Sequence, residues 1–213
     1  AAGRAVLLES QKENGVAVVE MGAATTSVAV FMEGFLQYFG VINVGANHIT
    51  NDIAISLAVS TEVAEEIKMK YVTAELIDND KPMTMRFGDE SISFTKTMVN
   101  RIVEDRLIDI FEHVKKEIAI AGYEKKLPEG VVLTGGGAEM RGIERFAREH
   151  MEVATRIGLP LMDVTHIDNE TKKPRFAVAI GLALMMNDDM REQETRVEEK
   201  PAGFLSKLFG GGR

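Results

Sequence analysis

The chain has 213 residues, of which 45% are hydrophobic, with 25 Lys and Arg against 33 Asp and Glu and no cysteine. Enough apolar chain is present to build a core of one large domain or two small ones, which excludes disorder. The net charge of −8 excludes nucleic acid as the main partner, because neutralising phosphates needs clustered cations. The lack of cysteine rules out disulfides and thiolate metal sites and fits a reducing compartment. No run of about 18 apolar residues is present to span a bilayer, and no segment of the sequence reads as a secretory leader. The first residues read as mid-helix sequence without a methionine, as expected of a piece of a longer polypeptide.

Three strands open the chain, at Val16–Met21, 27–32 and 36–42, and Met32-Glu33-Gly34 turns the second into the third as a hairpin. A helix over 46–58 follows from Ile49, Ile53 and Leu57 recurring four apart. Ser60 or Thr61 caps the next helix, with Glu62 and Glu65 near its positive end and Lys68 and Lys70 near its negative end. Short strands are expected at 72–77, Met83–Phe87 and 91–94, separated by turns at Asn79-Asp80 and Gly88-Asp89. A long helix over 96–121 stops at Gly122, with Pro128 beyond it. A buried strand at 131–133 leads through a glycine loop to a helix over 139–151, and a last apolar helix covers 176–186. There is no internal repeat.

The composition changes at Asn187. Residues 188–200 hold six acids and three bases with almost nothing apolar, the composition of a solvated linker, and Pro201 ends it. The closing segment GFLSKLFGGGR has two bases and no acid. Phe204, Leu205, Leu208 and Phe209 share one helical face while Ser206 and Lys207 take the other, which reads as a membrane-surface helix at 204–209. A disordered tail, or a hook packed on the body of the protein, is the competing reading.

Two loops carry candidate chemistry. In the first, Glu20 ends a strand before Gly22, Ala23, Ala24, Thr25 and Thr26, where backbone N–H groups and two hydroxyls can meet phosphate oxygens. In the second, Thr134-Gly135-Gly136-Gly137 joins a strand to a helix. Glycines there let the backbone approach a ligand closely, and a helix N-terminus favours anions. Either loop alone is equally the sequence of an ordinary tight turn. Glu65 and Lys68, three apart on one helical face, make a surface pair by themselves. The four histidines are widely spaced and read as structural, and the methionines as core filler.

In this order the loops resemble the phosphate-2 and adenosine motifs of the superfamily of actins, heat-shock chaperones and sugar kinases. The run Val132-Leu133-Thr134-Gly135-Gly136-Gly137 follows the adenosine pattern, and Glu65-Glu66-Ile67-Lys68 follows its Glu-x-x-Lys element. Within that superfamily the chain is similar to the FtsA family of bacterial division proteins. Residues 44–54 resemble its Gly-x-x-His-Ile-Thr-x-Asp-Ile-Ala segment, Arg156-Ile157-Gly158 its Arg-x-Gly strand end, and 177–182 its small-residue connecting helix. The likeness covers nearly all of 1–187, as the C-terminal half of such a protein.

The resemblance implies an α/β fold with an actin-like (ribonuclease-H-like) core subdomain, IIA, from 1–60 and 123–187, residues 1–15 being the remnant of a preceding part. An inserted α+β subdomain, IIB, takes 61–122, a charged flexible linker 188–203, and a membrane-targeting tail 204–213. It implies ATP and Mg²⁺ as cofactors, with Gly22, Thr25, Thr26, Glu65, Lys68, Gly135, Gly136 and Gly137 as nucleotide-binding residues and Glu20 reaching the metal through water. The family's first loop has Asp and three glycines where this chain has Glu20, Gly22, Ala23 and Ala24, so a strained or reshaped loop is expected, since left-handed Ala costs roughly 1–2 kcal/mol. The superfamily's phosphate-1 loop and water-activating residue lie outside this chain. Hydrolysis is therefore not expected of it, and at most weak ATPase activity of a longer protein.

Residues 104–109 resemble the family's Glu-Pro-Arg-x-x-Glu segment, which implies that Arg106 and Asp109 read the C-terminal tail of FtsZ. Asp105 stands where the family has proline, and a solvated ion-pair face is the alternative. Further implications are self-association into actin-like filaments and attachment of the tail, through Lys207 and its apolar neighbours, to anionic lipid on the cytoplasmic face of the cell membrane. A pilus-assembly actin homologue and a sugar or acid kinase are the other superfamily members considered.

Overall fold

A computed structural model describes residues 1–75, 80–88, 90–161 and 169–198. Two short helices, α1 (Ala2–Val6) and α2 (Glu9–Asn14), precede an antiparallel meander of β1 (Val16–Met21), β2 (Thr26–Met32) and β3 (Phe35–Ile42). The β2–β3 hairpin turns through Glu33 and Gly34, both at positive φ, the geometry that matches the twist of the flanking strands. Helices α3 (Ala46–Leu57) and α4 (Thr61–Tyr71) follow, the second capped by Ser60, whose hydroxyl accepts from Val63 N. A hairpin of β4 (Met83–Phe87) and β5 (Glu90–Phe94) leads into α5 (Lys96–Ile120). The chain closes with β6 (Val131–Thr134), α6 (Ile143–Met151), β7 (Thr155–Ile157) and α7 (Ala177–Glu198).

The main sheet has the order β3-β2-β1-β6-β7, with β6 parallel to both β1 and β7. Central strands must be apolar on both faces, and β1 is. Val16 and Val18 join Ala5, Val6, Val132 and Ile180 under α1 and α7. Ala17, Val19 and Met21 join Ile49, Leu107, Phe111 and Ile143 under α3, α5 and α6. Helix α5 secures the second layer: Val99, Val103, Leu107, Ile110, Phe111, Val114 and Ile118 form one buried stripe. Each large side chain in it contributes about 1.5–3 kcal/mol. Met85 and Phe94 of the small hairpin belong to the same continuous cluster as the sheet.

Three expectations are corrected. Residues 72–75 form no strand: Thr73 N bonds to Asn100 Oδ1 and Ala74 N to Arg141 O instead of to a ladder, and 76–77 lie outside the described residues. The helix expected from 139 begins at Ile143, because Gly142 takes a left-handed φ of +82° after a 3-10 turn over Gly136–Glu139. The last helix does not stop near 186 but runs to Glu198, through most of the charged stretch expected as a linker. Met190 to Glu194, Arg196 and Glu198 are good helix formers, no Gly or Pro interrupts the stretch, and Asp188 accepts two bonds from Arg4 of α1, at 2.9 and 3.1 Å. The small residues of α7 have a packing reason, since a Cβ on Gly181 would lie 2.0 Å from Ala1 O. The tail at 204–209 lies outside the described residues.

Candidate functional site

Because β1 and β6 are parallel neighbours in register from Ala17–Val131 to Glu20–Thr134, both deliver their following loops to one edge of the sheet. That edge, beyond the carboxyl ends of parallel strands, is where open α/β sheets bind ligands. A cavity of about 560 Å³ opens there, with Gly22, Ala46, Glu65, Lys68, Gly136 and Gly137 in its wall. The two loops and the Glu65–Lys68 pair, scattered over more than a hundred residues of sequence, therefore meet at one place. Its wall holds five cations (Lys68, Lys70, Lys96, Arg141, Arg175) against two carboxylates (Glu65, Glu139), the reverse of the chain as a whole.

In the first loop Gly22 N donates to Thr25 O at 2.9 Å. The carbonyls of Gly22 and Ala23 accept from Ala46 N (2.9 Å) and Asn47 N (2.8 Å), so the loop closes the first turn of α3. Gly45 is the point of contact, where a Cβ would lie 2.6 Å from Ala23 O. His48 completes the turn, its Nδ1 accepting from Gly45 N at 3.1 Å. Neither Ala23 nor Ala24 has a positive φ, so the loop is reshaped and carries no left-handed strain. Among the described residues no protein acceptor meets the N–H groups of Ala23, Ala24 and Thr25, and of these three residues only Ala23 lies in the cavity wall.

Thr26 is corrected. Its side chain is fully buried and Oγ1 donates to Val44 O at 2.8 Å, which ties β2 to the segment before α3 and removes the hydroxyl from the site. Thr25 is half-buried and outside the cavity wall. Glu20 is half-buried at the end of β1, with no ion-pair or hydrogen-bond partner among the described residues, and burial pushes its carboxyl above the usual range.

The three glycines of the second loop have different jobs. Gly135, at φ +85°, backs onto β1, where a Cβ would meet Glu20 Oε1 and Met21 O at 2.6 Å. Gly137 would meet Met21 Cβ at 2.8 Å. Only Gly136 faces open space in the cavity wall. Thr134 Oγ1 and Gly135 N both donate to Pro174 O at 3.1 Å, which fastens the loop to the segment ahead of α7.

Lys68 Nζ lies 2.6 Å from Glu65 Oε2 and donates to Thr50 Oγ1 at 2.8 Å and Ala46 O at 3.3 Å, while Thr50 Oγ1 donates to Glu65. Burial raises the Glu65 carboxyl, but the bonds from Lys68 and Thr50 outweigh it and hold the group below its ordinary value. The Lys68 side chain is almost covered, whereas Glu65 keeps 45% of its side chain exposed. Sequence reasoning missed Glu139 and Arg175, which form a two-pronged pair at the cavity wall, with Nε 2.7 Å from Oε1. Glu139, two residues past the glycines, could have been proposed from its position. Arg175 could not, because only the docking of α7 brings it there.

Arg106 and Asp109 lie away from this cavity. The guanidinium is held by Asp52 of α3 and by Asp109 at 2.9 Å, at the edge of a second cavity of about 360 Å³ that also involves Ile55, Ile102 and Asp105. Among the described residues there is no group of three or more acids or histidines able to hold a metal, and no helix is long and apolar enough to cross a membrane.

The model of the cell division protein FtsA family matches residues 17–181. Cell division protein FtsA of Pseudomonas aeruginosa is 33% identical over 188 residues, 86% of this chain and 45% of that protein. The Neisseria meningitidis protein of the same name is 33% identical over 219 residues, 98% of this chain and 53% of that protein. The chain thus spans about half the length of the curated relatives it matches. Among solved structures, MreB5 of Spiroplasma citri bound to ADP superposes with a TM-score of 0.70 at 17% identity, covering 91% of this chain and 59% of that one, a likeness of fold.

Proposed function

The chain belongs to the FtsA family of cell division proteins, and from that premise we propose that its cavity binds the nucleoside and part of the phosphate chain of ATP. The observation that carries the reading is the convergence of three separate motifs on one cation-rich cavity. Glu65 offers acceptors to ribose hydroxyls, Gly136 gives the base or sugar an open approach, and the unpaired N–H of Ala23 in the cavity wall suits a phosphate oxygen. For Mg²⁺ the fit is narrower: Glu20 is a single desolvated carboxylate, suited to a metal-bound water and not to a set of direct ligands.

In the longer protein this nucleotide site would sit in an actin-like molecule that self-associates, binds the FtsZ tail on the inserted subdomain IIB (61–122), and lies against the inner face of the cell membrane through 204–213. The family match favours this reading over the pilus-assembly and kinase alternatives. The test is a calorimetric titration of ATP into the protein and its Gly136→Asp variant. Because Gly136 has open space and no positive φ, the aspartate is tolerated by the fold and meets the ligand with steric bulk and like charge. Loss of binding with an unchanged melting curve is expected; unchanged affinity would remove the site.

A further inference from the structure

Thr50 is buried on α3, where that helix packs on α4. Its hydroxyl has one hydrogen, given to Glu65 Oε2 at 2.5 Å, and it accepts from Lys68 Nζ at 2.8 Å. An ammonium has three donors, and three acceptors surround this one: Glu65 Oε2 at 2.6 Å, Thr50 Oγ1, and Ala46 O at 3.3 Å. With its side chain almost covered, Lys68 has no donor left for a ligand. Glu65 is placed differently. Both of its contacts fall on Oε2, no donor among the described residues meets Oε1, and the half-exposed side chain stands in the cavity wall. Burial raises this carboxyl, but the bonds from Lys68 and Thr50 hold it below its ordinary value, so Oε1 belongs to an ionised group that accepts and cannot donate.

We propose that Thr50 and Lys68 are positioning residues that pin Glu65 through Oε2, so that Oε1 selects a ribonucleotide by its sugar hydroxyls while Lys68 itself touches no ligand. This rests on the nucleotide reading of the cavity. A glutamate on a helix face otherwise samples several rotamers, and ordering it on binding weakens affinity. Bonds from two separate helices order it beforehand. A phosphate at Oε1 would set anion against anion, whereas a hydroxyl supplies the donor that this oxygen lacks. An analogue without that hydroxyl would cover the oxygen and leave it unpaired, and a site built to bond a hydroxyl rejects such an analogue more strongly than the bond alone suggests.

Calorimetric titrations of ATP, 2′-deoxy-ATP and 3′-deoxy-ATP into the protein and its variants test this, with melting curves to follow the fold. The unaltered protein should bind ATP about tenfold or more tighter than at least one deoxy analogue, as for a hydrogen bond to a charged group. Thr50→Val keeps the branched shape and removes the hydroxyl. It should weaken ATP several-fold, leave the poorer analogue unchanged and so shrink the preference, while Thr50→Ser retains it. Lys68→Met should act as Thr50→Val does. A merely structural role would lower the affinity for all three ligands together, as would a direct contact from Lys68 to base or phosphate, and either result overturns the assignment. So does a protein indifferent to both hydroxyls in which Gly136→Asp still abolishes ATP binding, an outcome that leaves the nucleotide site standing. A protein that binds no ATP removes both.

Discussion

Arg106 of α5 grips Asp52 of α3 with two bonds, Nε to Oδ2 at 2.7 Å and Nη2 to Oδ1 at 3.0 Å. Both side chains are 27% exposed, so the pair is neither buried nor fully solvated. Replacing Arg106 by Glu would set three carboxylates together, and part of any lost partner binding would be structural. A double-mutant cycle with Arg106→Ala and Asp52→Ala should give a coupling of about 0.5–1 kcal/mol, the upper part of the range for solvent-screened pairs. If Arg106 reads an acidic group of the FtsZ tail, Asp52→Asn should strengthen peptide binding by releasing the guanidinium. Unchanged or weaker binding would leave Arg106 as a tie between helices.

The glycines of the second loop separate fold from function. Gly135→Ala forces a Cβ at positive φ against Met21 O, a backbone atom that cannot yield, so a loss of about 1–3 kcal/mol is expected in urea unfolding. Gly136→Ala meets nothing and should change stability by less than about 0.5 kcal/mol. Equal destabilisation by the two would mean that the loop is not held against β1 as described.

This division of labour shows where sequence reasoning stops. The β1–β3 meander and α5 are legible because alternation and helical periodicity are local, and the Met32-Glu33-Gly34 turn is a local signal. The difference between Gly135 and Gly136 is not, since it depends on β1 lying behind one and solvent before the other. Thr26 reads as a phosphate donor until the chain folds Val44 O onto it. The charged residues after Asn187 resemble a linker, yet they continue α7, whose Asp188 meets Arg4, far off in sequence.

Glu20 provides a pH test. Its folded pKa is raised by burial, so it favours the fold most below the unfolded value of about 4.3, and that contribution is lost as pH rises through the folded pKa. Glu20→Gln should therefore raise the melting temperature at about pH 7 and change it little near pH 4. If the carboxylate serves a metal-bound water, the same variant should lose Mg²⁺-dependent tightening of ATP binding. A variant less stable at neutral pH would show that Glu20 has a partner that compensates its burial.

The last prediction concerns the segment 204–209, which follows α7 after Glu198. Phe204, Leu205, Leu208 and Phe209 would present one apolar face, with an upper bound of roughly 6–12 kcal/mol if all four were fully buried. Interfacial insertion is partial, and ordering so short a helix consumes much of that gain. Lys207 and Arg213 add about 1 kcal/mol each on anionic lipid. A single copy should bind weakly, and an assembly presenting many tails strongly, because each later contact is intramolecular. Vesicle co-sedimentation should therefore show preference for anionic lipid, loss of binding in the Phe204→Asp, Phe209→Asp double variant, and stronger retention at concentrations where copies associate. Equal sedimentation of wild type and double variant would leave the tail without a membrane role and favour its packing on the protein itself.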